Sequence, residues 1–235
     1  QMLPYIGQQV EDDLLDMDIV RSAWAETIAA ADRHNDPGKF TTFTAYEYTS
    51  SQDTFENLHR NVIFEDGAPD EPFSRLISKN PENLWRWMDS LRDRGMDSIA
   101  IPHNSNGSDG YMFWDKTYDG KEIDARYSAM RMRNEPLVEI SQVKGTSETH
   151  PLLSPNDEFA NFEIMPYQIA TWYESKLEGS YVREAYRKGL ELQKAGAGNP
   201  FKFGLISASD THVGAGAFTE SNYWSKIGMV DYNGI

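Results

Sequence analysis

Apolar positions recur along this chain in two rhythms that take turns. Residues 16–34, "DMDIVRSAWAETIAAADRH", carry Ile19, Ala23 and Ile28 at helical spacing, with Asp16 or Asp18 as the candidate cap. Residues 39–49, "KFTTFTAYEYT", are β-branched and aromatic and predict a strand, and 57–64, "NLHRNVIF", predict another. Residues 80–95 open on Asn-Pro and close on Gly, which brackets a helix. Residues 97–104, "DSIAIPHN", predict a strand stopped by Pro102. A helix over 123–133 and a strand over 136–142 follow, then a helix over 180–198 that runs into glycines. The last strand is 201–210, "FKFGLISASD". Helix and strand alternate, and the strands are nearly all apolar. That combination predicts an α/β protein with a mostly parallel sheet buried on both faces. Periodicity alone leaves an open sheet and a closed barrel as alternatives.

No internal repeat or low-complexity linker divides the 235 residues, so the chain reads as a single domain over 1–235. Hydrophobic residues at 39% and aromatics at 12% suit a folded core. A formal net charge of -15 argues against nucleic-acid phosphates and anionic membrane surfaces as partners. One local positive pocket, or a bound cation, would still admit a phosphorylated substrate. There is no cysteine, so a metal would be held by His, Asp or Glu alone. No apolar run approaches the roughly 18 residues of a membrane span. The start, "QMLPYIGQQVEDDLLDMD", lacks an initiator Met, and "VDYNGI" carries no terminating element, so the chain reads as a piece of something longer. The compartment of this soluble chain stays open between cytoplasm and export.

In parallel α/β architectures ligands gather at the carboxyl ends of strands. Ionisable residues cluster at such places here. Glu47 closes "TAYEYT", His103 follows the strand in "IPHNSN", Glu139 lies within "LVEIS", and Asp210 and His212 follow a strand in "SASDTH". His59 sits at the start of "NLHRNVIF". Each alone has a plain structural reading, as a hydrogen-bonded loop histidine or an exposed carboxylate. Together they form a His/Asp/Glu set suited to divalent zinc, manganese or iron. Glu47 is the natural bridging carboxylate. Asp210 and His212, two apart on an extended segment, would face the same way.

The remaining candidates are weaker. His34 ends a helix, where a partly cationic side chain suits the dipole. His150 and Glu148 lie in a long irregular segment of the kind that often lines active sites. Arg60 and Lys144 are the better candidates for holding a substrate anion, ahead of Arg131 and Arg133, and Glu148 joins them as a candidate catalytic residue. Trp85 and Trp87 lie two apart on a helix and cannot both face one core. Trp114, in "GYMFWDKTY", is a candidate lid or specificity element.

The order Glu, His, His, then Asp-x-His resembles the PHP superfamily of metal-dependent phosphoesterases, named for polymerase and histidinol phosphatase. More closely, "NLHRNVIF", "IPHNSNGSDG", "RMRNEPLVEISQVKGTSE" and "SASDTHVG" resemble the bacterial family known as domain of unknown function 3604. The resemblance implies a distorted, seven-stranded β/α barrel with two or three metal ions. It makes Glu47 the bridging carboxylate, with His59 and His103 on its second metal. Asp210 falls to the first metal and His212 to the third. The superfamily's early His-x-His and later Asp-His motifs are absent, since the first histidine is His34. Only the Glu47, His59 and His103 set is therefore complete, and a barrel short of its first strands would offer sheet edges for homo-oligomerisation.

The function expected from these residues is metal-dependent hydrolysis of a small anionic, phosphorylated substrate by metal-activated water. A non-catalytic binding domain, and hydrolysis of a non-phosphate ester or amide, are the alternatives.

Overall fold

The Asp16 side chain accepts hydrogen bonds from the backbone N–H groups of Asp18 and Ile19, and so starts helix α1 (Met17–His34). The computed structural model describes residues 16–51 and 54–212, with 219 and 221, so the two chain ends that suggested a longer protein lie outside the described residues. Strands β1 (Ala45–Tyr48) and β2 (Arg60–Phe64) follow. Asn80 caps helix α2 (Pro81–Arg92), with proline at the first position, where its missing N–H costs nothing. Strand β3 (Ser98–Pro102) leads through a 3₁₀ turn, Ser105–Gly107, to helix α3 (Ala125–Asn134), which Asp124 caps. Next come β4 (Leu137–Glu139), β5 (Ser141–Gln142) and β6 (Gly145–Thr146), then α4 (Val182–Lys194) and β7 (Gly204–Ile206).

The strands do not assemble as their apolar runs suggest. β1, β2 and β3 form a three-stranded sheet in that order, and both pairings are antiparallel. Parallel pairing occurs between β4 and β7, while β5 and β6 make a two-residue-loop hairpin. The described residues thus form a mixed α/β fold of short sheets, with no closed barrel. This corrects the expectations of a mostly parallel sheet and of a distorted seven-stranded barrel. Apolar runs report burial on both faces, and burial carries no information about strand direction. β2 in fact alternates: Arg60, Val62 and Phe64 are buried, while Asn61 and Ile63 are half-buried.

That alternation positions the site. In the register, Tyr48 lies opposite Arg60, Arg60 opposite Pro102, and Val62 opposite Ala100. These residues share one face of the sheet. Val62, Phe64 and Ala100 pack there with Leu84, Met88 and Leu91 of α2. The intervening positions, Glu47 among them, turn to the other face. A second core gathers Phe113, Val138, Val182, Phe201 and Phe203. The two tryptophans of α2 divide as their spacing requires. Trp87 packs on Phe73 and Phe64 of the first core, with ring centroids 5.7 and 6.2 Å apart. Trp85 is buried elsewhere, edge-on to Tyr127.

Gly110 and Gly179 hold the segments around them together. Both have positive φ, +87° and +82°, and a Cβ on either would collide with backbone of the other strand of the contact. Across this contact Phe113 N–H donates to Gly179 O at 2.8 Å, and Gly110 N–H donates to Ser180 Oγ at 2.8 Å. Gly179→Ala is expected to destabilise the fold by on the order of 1–3 kcal/mol, read as a lower urea midpoint at unchanged slope.

Candidate metal centre

Three side chains converge where β1, β2 and β3 meet their loops. Glu47 is opposite Asn61 in the register, so His59, two residues earlier, is its diagonal neighbour on the same face. Arg60 pairs with Pro102, so His59 and His103 sit opposite one another just beyond the strands, and His103 N–H donates to His59 O at 3.4 Å. The loop after β3 is pinned by Asn57, whose Nδ2 donates to the carbonyls of His103 and Asn104, each at 3.0 Å. Asn104 takes the left-handed conformation, φ 54°, that turns the chain into the 3₁₀ turn.

Glu47 Oε1 lies 2.7 Å from His59 Nδ1 and 3.3 Å from His103 Nε2. One donor atom from each of the three lies within 4.8 Å of the others. Two nitrogens or oxygens held by one tetrahedral cation at 2.0–2.1 Å would stand about 3.4 Å apart. The three side chains therefore fit a divalent cation. Burial would raise the Glu47 carboxyl, but hydrogen bonds from His103 and His59 outweigh it and hold it well below the usual carboxylate range. His59 is drawn below the usual imidazole range, chiefly by burial and further by His103 and Lys144, against the pull of Glu47. An ionised carboxylate beside a neutral imidazole is the protonation state a metal needs. His103 is 2% exposed, and its Nδ1 has no hydrogen-bond partner among the described residues.

Further acidic groups approach from β4 and β7. Glu139, at the end of β4, is buried with Oε1 unpartnered among the described residues. Burial raises its carboxyl, and His103, Gln142, the Asn104 N–H and Lys144 offset this only in part. The β5–β6 hairpin presents Lys144, which pairs with Asp210 Oδ2 and acts electrostatically on both His59 and Glu139. Lys144 and Asp210 thus border the triad. His212 does not join it: its Nδ1–H donates to the Asp210 carbonyl at 2.7 Å, and its side chain is 48% exposed. The expectation that Asp210 and His212 face the same way fails because Asp210 is left-handed, with φ 57°, and the segment is not extended there.

Arg60 and Glu148 are placed away from the triad. Arg60, 2% exposed, points to the opposite face of β2, where its Nε meets Glu135 Oε1 at 2.8 Å. Glu135 Oε2 accepts from Arg131 Nε at 3.0 Å, and Trp85 Nε1–H donates to Oε1 at 2.8 Å. Arg60 is therefore not an anion holder at the triad. Glu148 sits at the surface on Arg183 at 2.6 Å. His150 accepts from the Leu152 N–H at 3.2 Å and packs on Tyr181, and His34 lies in the last turn of α1. Glu135 escaped the sequence reading. Its signal was the Arg131–Glu135 spacing of four on a helix.

Over residues 4–234 the sequence matches the family described as "Protein of unknown function (DUF3604)". No curated protein and no solved structure matches the chain.

Proposed function

We propose, for a chain that belongs to the DUF3604 family, that it is a metal-dependent hydrolase related to the PHP superfamily and acting on a small phosphate ester. One observation carries the reading: Glu47, His59 and His103, far apart in sequence, bring one donor atom each within 4.8 Å. Two imidazoles and a carboxylate leave an open coordination position on zinc, manganese or iron, the arrangement of catalytic rather than structural sites. A divalent ion held there would supply Lewis acidity and lower the pKa of a water. The chain's own residues do the rest. Glu47 and the two histidines fix the ion's position on a rigid sheet. Lys144, carried by a tight hairpin and paired to Asp210, orients the substrate's anionic oxygens toward the triad. Glu139, buried and in electrostatic contact with His103, would supply a carboxyl for proton transfer beside the triad.

The alternatives of a non-phosphate ester or amide use the same residues, and the substrate screen separates them. Protein loaded with zinc or manganese is expected to hydrolyse p-nitrophenyl phosphate or its diester. The activity should vanish with chelator and in Glu47→Gln. Full metal occupancy without turnover on any ester or amide would leave the non-catalytic reading standing instead.

A further inference from the structure

An imidazole has two nitrogens, and His59 turns them to different partners. Its Nδ1 lies 2.7 Å from Glu47 Oε1, inside the triad. Its Nε2 lies 3.1 Å from the Ser51 hydroxyl. His103 instead turns its Nε2 to Glu47, at 3.3 Å. The two rings thus offer different nitrogens to one point, Nδ1 from His59 and Nε2 from His103.

Backbone contacts put Ser51 in place. Just after β1, Ser50 N–H donates to Tyr48 O at 3.0 Å, and Leu58 N–H donates to Ser50 O at 3.0 Å. Ser51 and Asn57 then form an isolated antiparallel bridge. Asn57 is the residue whose side chain pins the carbonyls of His103 and Asn104. One short pairing therefore sets the approach of both rings. The bridge is made by main-chain atoms, so a change of the Ser51 side chain leaves it standing.

The count of protons gives the hydroxyl its significance. A neutral imidazole carries one N–H. Without an ion, the contact with the Glu47 carboxylate places that proton on Nδ1, and Nε2 accepts from the Ser51 hydroxyl. With an ion on Nδ1, the proton belongs on Nε2, which then donates. A main-chain carbonyl only accepts and a main-chain N–H only donates, whereas a serine hydroxyl does either. Building on the metal reading of the triad, we propose that Ser51 is a positioning residue for His59. It holds the ring with Nδ1 toward the ion and accepts the Nε2–H once the ion is bound. The ring gains and loses no proton overall, because one leaves Nδ1 to solvent and one enters at Nε2. Partners of this kind fix the tautomer of a ligating histidine.

The test combines zinc titration calorimetry of the chelator-treated full chain with long-range proton–nitrogen correlation spectra of the histidine rings. In the unmodified protein the His59 proton is expected on Nδ1 in chelator and on Nε2 with zinc. Signals of His59 are identified by their loss in His59→Gln. Ser51→Val should bind zinc at least about tenfold more weakly. Ser51→Thr, isosteric with valine but hydroxylated, should bind it as the unmodified protein does. The proposal is overturned if Ser51→Val binds zinc as tightly as the unmodified protein, if threonine and valine weaken it alike, or if zinc-bound His59 keeps its proton on Nδ1. Should Ser51→Val not fold, the ring spectra of the unmodified protein decide alone. An unmodified protein that takes up no zinc at these side chains overturns the metal reading and the role of Ser51 with it. Tight binding by Ser51→Val overturns the role of Ser51 alone.

Discussion

His103→Ala should strip the protein of its bound divalent ion, with affinity for zinc falling more than about 100-fold. The magnitude follows from the position of the residue. Replacing mere partners of metal ligands costs roughly 10–100-fold, and loss of a ligand costs more. His103 is also the least replaceable of the three, because it is buried and its ring is held between His59 and Glu47. Glu47→Gln should weaken zinc comparably while keeping the shape of the side chain, since an amide supplies no negative charge to the ion. Zinc content after gel filtration and titration calorimetry of chelator-treated protein measure both. Retention of zinc by both variants would show that the ion sits elsewhere.

Glu135→Gln should be the most damaging single substitution for stability in the described chain, at about 3–5 kcal/mol. It leaves the Arg60 and Arg131 guanidiniums buried without a counter-charge, since Glu135 is 0% exposed and contacts both. For a chain of this length the melting temperature should drop by roughly 10 °C. Glu148→Gln removes a carboxylate from an exposed pair with Arg183 and should cost below about 1 kcal/mol, a direct contrast between a buried and a surface ion pair. The acid limb of stability carries the same signature. Burial would raise the Glu135 carboxyl, but Arg60 and Arg131 outweigh it, so its pKa is lowered from 4.5. A group depressed in the folded state contributes its full stability above its unfolded value and loses it as pH falls through the folded value. Stability should therefore decline below about pH 4.5, and less steeply in Glu135→Gln. An unchanged slope in the variant would assign the acid limb to other carboxylates.

Much of this molecule is legible in the chain, and the failures have physical causes. The helices were read well because caps are local: Asp16, Asn80 with Pro81, and Asp124 each start a helix by side-chain acceptance or by proline's fixed geometry. The strands were read in place but not in direction, because pairing partners are chosen by tertiary contacts rather than by composition. Residue type and strand position gathered Glu47, His59, His103, Asp210 and His212 as one set, the family resemblance put the first three on one metal, and the geometry brings those three together. Assigning Arg60 to the same site broke a rule already available. Adjacent residues on a strand face opposite ways, so Arg60 could not serve the side that His59 serves. That Asp210 and His212 do not face the same way has a cause no pattern carries, a left-handed residue with an aspartate side chain. No helix among the described residues is long and apolar enough to cross a membrane, as the absence of a long apolar run suggested.

The central claim is that Glu47, His59 and His103 hold a divalent cation. An anomalous difference map from crystals grown with zinc tests it most directly. The account predicts a peak about 2.0–2.2 Å from a Glu47 carboxylate oxygen and from one ring nitrogen of each histidine. Full zinc saturation with no peak at these three side chains, or with the peak at other ligands, would contradict it.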